Sequence, residues 1–389
     1  MFMLLKAFLK SYHKRQKNQG FTLIELLVAL VVASIIISSL LGFMVDILRK
    51  DRNEQVQSAT QQDIQAAADY IRRDLETAVY IYDGEGLRAI SGNYSTTECS
   101  SPVSPGSYTP PASCSQIPVM DSASGEGIPV LAFWKRKFLD KDLNVKPRSG
   151  DTTVGCLVKL PVSGNPCNDQ DYQVYALVVY YLTNANSGTW SNAMQIRRVE
   201  IQDGIVDTGN NPQDNTISGV KYDLDPSDGY ANFDLSISGD SVQEKMNKWQ
   251  KASKAYNLSE TPIQVLVDNI DHTALSDLAS GQSFPNAVNC QDAFPNKDTP
   301  SPAPTGTDEP WQSPNYGASG FPAAFNAFKT DSFFTCVDSE AGVAQVYIRG
   351  NALARINPAN PDKYDPDNNR TALFFPTTSI QTKIRGRVQ

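Results

Sequence analysis

From Phe21 to Val45 the chain runs for 25 residues with a single charge, Glu25. Nothing else in the sequence restricts its fold so much. As a helix rising about 1.5 Å per residue, the run is about 37 Å long, enough to cross a hydrocarbon layer of about 30 Å with some tilt. Leucine, isoleucine, valine and alanine dominate it. Gly42 is the one helix-weakening residue, and no proline occurs between Phe21 and Tyr80. A secretory signal has an apolar stretch of only about 7–15 residues with a small-residue cleavage site after it, and neither holds here. Residues 21–45 are therefore read as a membrane-spanning helix.

Flanking charge orients that helix. Residues 1–20 carry Lys6, Lys10, Lys14, Arg15 and Lys17 and no acid. On the far side Asp46, Asp51 and Glu54 balance Arg49, Lys50 and Arg52. The basic excess predicts a cytoplasmic N-terminus with the bulk of the chain outside. The helix is expected to continue past the membrane to about residue 80. Val56, Ile64, Ala67, Ala68, Ile71, Leu75, Ala78 and Val79 fall largely on one stripe, with Asp63, Arg72, Arg73 and Glu76 mostly opposite. Residues 46–82 thus read as an amphipathic continuation that needs a surface to pack on. Asp83-Gly84 and Gly86 end it.

Residues 83–389 read as a β-rich outer domain. Runs rich in Val, Ile, Tyr and Phe lie at 128–134, 156–160, 172–182, 194–201, 233–237, 263–269, 344–350 and 378–384, each bounded by turn formers. The strongest, 172–182, looks like a central strand, and 240–257 looks helical. Two Pro-rich loops interrupt the pattern at 99–118 and 284–325. A long helix followed by antiparallel strands predicts an α+β fold, with the stripe at 56–79 covering the apolar face of the sheet.

The residues around the lone carboxylate are specific. A basic leader, Gly20, then Phe21-Thr22-Leu23-Ile24-Glu25 and the apolar run resemble the class III signal of type IV pilins and pseudopilins. Past the motif, LLGFMVDILRKDRNEQ and DIQAAADYIRRDLETAVYIYDGEGL are similar to large minor pseudopilins of the J/W type. With TPIQVLVDNID (261–271) and TTSIQTKIRGR (377–387), they look like cyanobacterial pseudopilins of hormogonium polysaccharide secretion.

The resemblance implies a pilin-like fold and removal of 1–20 by a prepilin peptidase between Gly20 and Phe21. It also implies N-methylation of Phe21 and assembly with other pseudopilins or pilins on an inner-membrane platform. An unpaired carboxylate costs about 2.5–3.5 kcal/mol at the centre of a membrane helix and less near its end. Cleavage creates a positive amine at Phe21. By resemblance, Glu25 of one subunit faces that amine on a neighbour, so that each charge offsets part of the other's desolvation.

Other chemistry is sparse. The six cysteines, Cys99, Cys114, Cys156, Cys167, Cys290 and Cys336, all follow the apolar run and form no CxxC pair. Their even number beyond an anchor fits disulfides in an oxidising compartment. Neighbour pairing, 99–114, 156–167 and 290–336, has the lowest entropy cost but is one of many connectivities, and buried free thiols are the alternative.

His13 and His272 are the only histidines, so hydrolytic catalysis would rest on His272 beside Asp271. No phosphate-binding glycine loop occurs, and no cofactor is expected. Asp223, Asp225 and Asp228 in DLDPSDG, and DKYDPDNN at 362–369, offer oxygen ligands for calcium, but the same residues are ordinary turn formers. Tyr172, Tyr175, Tyr180 and Tyr181 invite a sugar-stacking reading against a packed one. Formal net charge is −8, and losing the five basic residues of 1–20 takes it to −13, which disfavours nucleic acid. The expectation is a non-enzymatic pseudopilin of the inner membrane. The alternatives are a minor type IV pilin for adhesion, motility or DNA uptake, and a membrane-tethered periplasmic enzyme.

Overall fold

A computed structural model describes residues 21–100, 114–120, 126–145, 152–157, 167, 170–184, 189–206, 215–217, 220–261, 263–280, 282–284, 290–294, 311–316, 321–368 and 371–386. The predicted leader, 1–20, lies outside these residues, as do most of both Pro-rich loops. The chain divides into two compact units, up to Gln55 and from Val56 onward. One helix, α1 (Leu23–Glu76), contributes to both.

In the first unit α1 is apolar all round, and every residue from 21 to 52 is exposed. In the second unit Thr60, Ile64, Ala67, Ala68, Ile71 and Leu75 are buried at helical spacing. Burying each Ile or Leu fully is worth about 1.5–3 kcal/mol, and the two alanines let the helix approach its partners closely. Val56, at the start of the expected stripe, is half-buried.

The helix ends at Glu76, short of the expected residue 80. Thr77 Oγ1 donates to the Asp74 carbonyl at 2.8 Å, and Ala78–Ile81 then forms strand β1. Ala78 and Val79 therefore belong to a strand and not to the helical stripe. The β-branched and aromatic run Thr77 to Tyr82 gains more from pairing with a sheet than from a further helical turn.

Five antiparallel strands form the first sheet in sequence order: β1, β2 (Gly127–Leu139), β3 (Tyr172–Asn184), β4 (Met194–Gln202) and β5 (Gln264–Ile270). The central β3 is buried continuously from Ala176 to Thr183. That run is apolar because both faces of the sheet are covered. On one face Phe133, Val178, Tyr180, Leu182 and Ile196 pack with the α1 stripe. On the other, Trp134, Leu177, Val179, Tyr181 and Val199 pack with Trp249, Met246 and Tyr230.

The residues covering that second face correct two expectations. Residues 233–237 form no strand, yet Phe233, Leu235 and Ile237 lean alternately onto the same cluster. The helix expected at 240–257 spans only α3 (Val242–Asn247), which follows α2 (Gly84–Ile90). Ser241 caps α3 by accepting from Glu244 N at 3.1 Å. Beyond it the chain turns so that Trp249 Nε1 reaches the Asn232 carbonyl at 3.1 Å and Lys251 Nζ is held by the carbonyls of Cys99, Ala252 and Lys254.

A second antiparallel sheet also runs in sequence order: β6 (Gln312–Ser313), β7 (Phe333–Asp338), β8 (Val343–Arg349) and β9 (Thr377–Lys383). Its Phe333, Val337, Ala344, Val346 and Ile348 join the core beneath α1. The sheets meet where β5 and β8 end. Asp271 N donates to the Arg349 carbonyl at 3.1 Å, and Asn351 N to the Asn269 carbonyl at 2.7 Å. The Asp271 and Arg349 side chains form a fully buried ion pair at 2.8 Å. Gly350 passes so close to α1 that a Cβ there would lie 2.6 Å from Thr60 Cγ2. The run expected as a strand at 156–160 differs: Val154–Cys156 is a single 3-10 turn, and 158–160 lie outside the described residues.

Candidate assembly site

The N-terminal end of α1 is built by Thr22. Its carbonyl accepts from Glu25 N and Leu26 N at 3.1 and 3.2 Å, and its hydroxyl accepts from Glu25 N at 3.3 Å. Thr22 is thus an N-cap, with Glu25 three residues on, in the first turn, where the helix dipole favours an anion. The spacing Thr-x-x-Glu before an apolar run is the sequence signature of this arrangement. It gives Glu25 a local role that the resemblance to pilins does not supply. The cap does not neutralise the acid. Among the described residues Glu25 makes no ion pair, and its one side-chain contact is a 3.5 Å hydrogen bond from Thr22.

Phe21, next to the expected cut, is 81 % exposed, and Gly20 lies outside the described residues. The polar atoms of the following turns are satisfied within the helix. Ser34, Ser38 and Ser39 donate to the Val31, Ser34 and Ile36 carbonyls, each at 2.8 Å. An apolar surface with its hydroxyls closed internally suits lipid or a bundle of similar helices. The helix has the length and composition to cross a membrane, and its apolar window is wholly unburied.

The other half of α1 is moored by charge as well as by its apolar stripe. Asp74 accepts from Lys135 Nζ at 2.7 Å, Arg198 Nε at 2.8 Å and Tyr180 Oη at 2.9 Å. Glu200 bridges Lys135 at 2.8 Å and Lys137 at 2.5 Å and also pairs with Arg198. Burial pushes the Glu200 carboxyl up, but Lys135 and Arg198 outweigh it and hold the group well below the usual carboxylate range. Burial likewise opposes the Arg198 charge, and Asp74 with Glu200 more than offsets it. Near the middle of the helix, Arg355 donates to Thr60 Oγ1 at 2.9 Å and pairs with Asp63.

The remaining candidates separate clearly. The six cysteines form three disulfides, Cys99–Cys114, Cys156–Cys167 and Cys290–Cys336. The calcium candidates Asp223, Asp225 and Asp228 do not converge. Among the described residues no three His, Cys, Asp or Glu side chains gather as a metal site, and Asp228 pairs with Lys254 at 2.5 Å. In 362–368, Asp365 accepts from Asp367 N within its own turn, and Asp367 accepts from Gln282. The tyrosines make no platform. Tyr180 and Tyr181 are buried on opposite faces of β3, and Tyr181 Oη donates to the Pro118 carbonyl at 2.7 Å. Burial lowers the His272 pKa, and its Nδ1 is buried without a partner. No serine or cysteine is hydrogen-bonded to it among the described residues.

Residues 15–41 match the family described as "Prokaryotic N-terminal methylation motif". No curated protein and no solved structure matches the chain. The matched segment joins the basic flank, the cap at Thr22, Glu25 and the apolar turns. The motif implies processing by a prepilin peptidase and assembly with pilins, and together with the one long apolar helix near the N-terminus it fits a single-pass, membrane-anchored, pilin-like protein. The mixed α+β architecture, with a long helix on antiparallel sheets, is consistent with the pilin-like fold.

Proposed function

We propose that this chain is a minor pseudopilin of a type II secretion-like assembly, serving polysaccharide export in a motile filamentous cyanobacterium. The observation that carries the reading is the N-terminal half of α1. A methylation motif, a capped first turn and a Glu25 without an ion pair among the described residues sit on a half-helix whose apolar side chains are all exposed. After cleavage at Gly20-Phe21, the new amine is the complementary charge for Glu25 on an adjacent subunit. Insertion leaves 83–389 in the periplasm and the basic flank in the cytoplasm, in line with the charge asymmetry. The assembly role needs no catalytic group. Specificity resides in the outer domain, whose two sheets pack on the second half of α1.

The test combines chemistry and genetics. Mass spectrometry of the native protein is expected to show N-methyl-Phe21 as its first residue, and an intact leader overturns the reading. Deletion of the gene is expected to reduce exported polysaccharide while surface pili persist. Loss of pili with normal polysaccharide makes it a type IV pilus component instead.

A further inference from the structure

A groove of about 460 Å³ opens where the turn before β4 meets β5 and the segment after β8. Its size falls in the range of about 300–1,000 Å³ that holds small ligands. Trp190 lines it and is 40 % exposed, whereas Trp134, Trp249 and Trp311 are at most 4 % exposed. The protein has four tryptophans, so three are core residues and this one faces water.

The groove wall is built with care. Strand β5 shifts register between Val267 and Ile270, and Asn269 within that bulge has φ +61°. Bulges of this kind re-aim side chains, often beside binding sites. Here Asp268 fixes the Trp190 turn. It accepts from Ser191 N at 3.0 Å, Ser191 Oγ at 2.9 Å and Gln195 Nε2 at 3.1 Å. Asn192 is pinned by its N to the Pro358 carbonyl at 2.8 Å and by its Nδ2 to the Ala359 carbonyl at 2.6 Å. Arg355 is held on Thr60 and Asp63.

Each charge in the groove already has a partner, while several hydrogen-bonding atoms do not. Arg355 is balanced by Asp63, and Asp268 is satisfied by three donors. Among the described residues Asn192 bonds through its N and Nδ2 and Arg355 through its Nε and Nη2, which leaves Asn192 Oδ1, Arg355 Nη1 and Thr189 Oγ1 without a bond there. A flat aromatic face beside mixed donors and acceptors, with no net charge to neutralise, matches a ligand with C–H faces and hydroxyls that both donate and accept. A phosphate or sulfate would need an unpaired cation. A polyproline segment docks on aromatic-lined grooves, and among the described residues this groove has one aromatic. We propose that the Trp190 groove binds a neutral saccharide chain, one sugar stacking on Trp190 and its hydroxyls reaching Asn192, Thr189 and Arg355.

The site stands on the groove alone, so its failure leaves the assembly reading untouched. Full-length protein in detergent is titrated with cellohexaose, maltohexaose and mannohexaose. Polygalacturonate and a decaproline peptide serve as controls. Trp190 is the tryptophan open to solvent, so binding is expected to blue-shift emission and to cut acrylamide quenching at least twofold with one of the neutral sugars. Trp190→Ala is expected to weaken binding at least tenfold, measured by calorimetry, with an unchanged melting temperature. Asn192→Ala, which leaves the tryptophan in place, is expected to weaken it several-fold. The proposal is overturned if no neutral sugar protects Trp190 at millimolar concentration. Unchanged affinity in Trp190→Ala overturns it too, as does binding confined to polygalacturonate or to the proline peptide.

Discussion

At the scale of single residues, two carboxylates carry most of the consequence. Glu25 is costly in an apolar layer and gains from its cap only in part, so its selective value depends on a neighbour. Glu25→Ala is expected to insert and be cleaved normally but to lose co-purification with partner subunits by at least tenfold. Normal assembly of that variant would remove the pairing account and leave capping as the acid's role. Asp331 behaves differently. Its Oδ1 is buried without a partner, and its backbone is left-handed at φ +48°. Burial pushes its pKa up to about 6, against the pull of Arg349. The folded value exceeds the unfolded one of about 3.9. Folding therefore favours the protonated form. Its stability contribution is complete below about pH 4, is lost as pH rises to about 6, and costs up to about 3 kcal/mol above that. Glu200 has the opposite sign: it stabilises above its unfolded value and loses that as pH falls. Asp331→Asn, which tolerates the same backbone, is expected to raise the melting temperature at pH 7.5 and to change it little at pH 4. Equal effects at both values would contradict the assignment. Neither feature was fully legible in the sequence. Thr22 and Glu25 stood in plain view as a capping signature, whereas nothing around Asp331 announces a buried acid.

At the scale of elements, α1 is held by a stripe and by two charge clusters of unequal worth. Asp74 and Arg198 have side chains 8 % and 9 % exposed, while Asp63 is 52 % exposed. Removing one partner of a buried pair costs about 3–5 kcal/mol because the other charge stays desolvated. An exposed pair is worth about 0–1 kcal/mol. Asp74→Asn is thus expected to lower stability by several kcal/mol, and Asp63→Asn by about 1 kcal/mol or less, in urea unfolding of the full chain in detergent. Similar losses would mean that the buried network is not the main mooring. Sequence periodicity made the stripe and the long strands visible, because burial leaves a repeat in the residues. It misplaced the end of α1, since Ala78 and Val79 suit a helical stripe and a buried strand equally. It missed β7, although FFTCVD has strand composition, because the run adjoins the Pro-rich segment. The strand expected at 233–237 is absent for a related reason. The alternating Phe233, Leu235 and Ile237 do face the core, but without a neighbouring strand to pair with.

At the scale of the whole molecule, the first sheet is buried on both faces, and one of the three disulfides ties Cys290 to Cys336 on β7 of the second sheet. A count of cysteines suggested disulfides but could not pair them, because pairing is a property of the folded backbone. The three closures are unequal. Cys290–Cys336 spans 46 residues, against 15 for Cys99–Cys114 and 11 for Cys156–Cys167. In the chain-entropy account, closing the longest span restricts the unfolded chain by roughly 4 kcal/mol and the shortest by roughly 3 kcal/mol. Packing widens the gap. Cys290 and Cys336 are at most 1 % exposed and cluster with Trp311, Phe334 and Tyr347, whereas Cys156 and Cys167 are half-buried. Replacing the first pair by alanine therefore loses the constraint and leaves a cavity among aromatic rings, and replacing the last loses the constraint alone. Cys290→Ala with Cys336→Ala is expected to lower unfolding free energy by about 4–6 kcal/mol, and Cys156→Ala with Cys167→Ala by about 2–3 kcal/mol. Urea unfolding of both double variants beside the parent protein gives the comparison. If the Cys156 and Cys167 variant proves the less stable of the two, the anchoring of the second sheet by Cys290–Cys336 is not the main constraint, and the outer domain is instead held in the connection between β2 and β3.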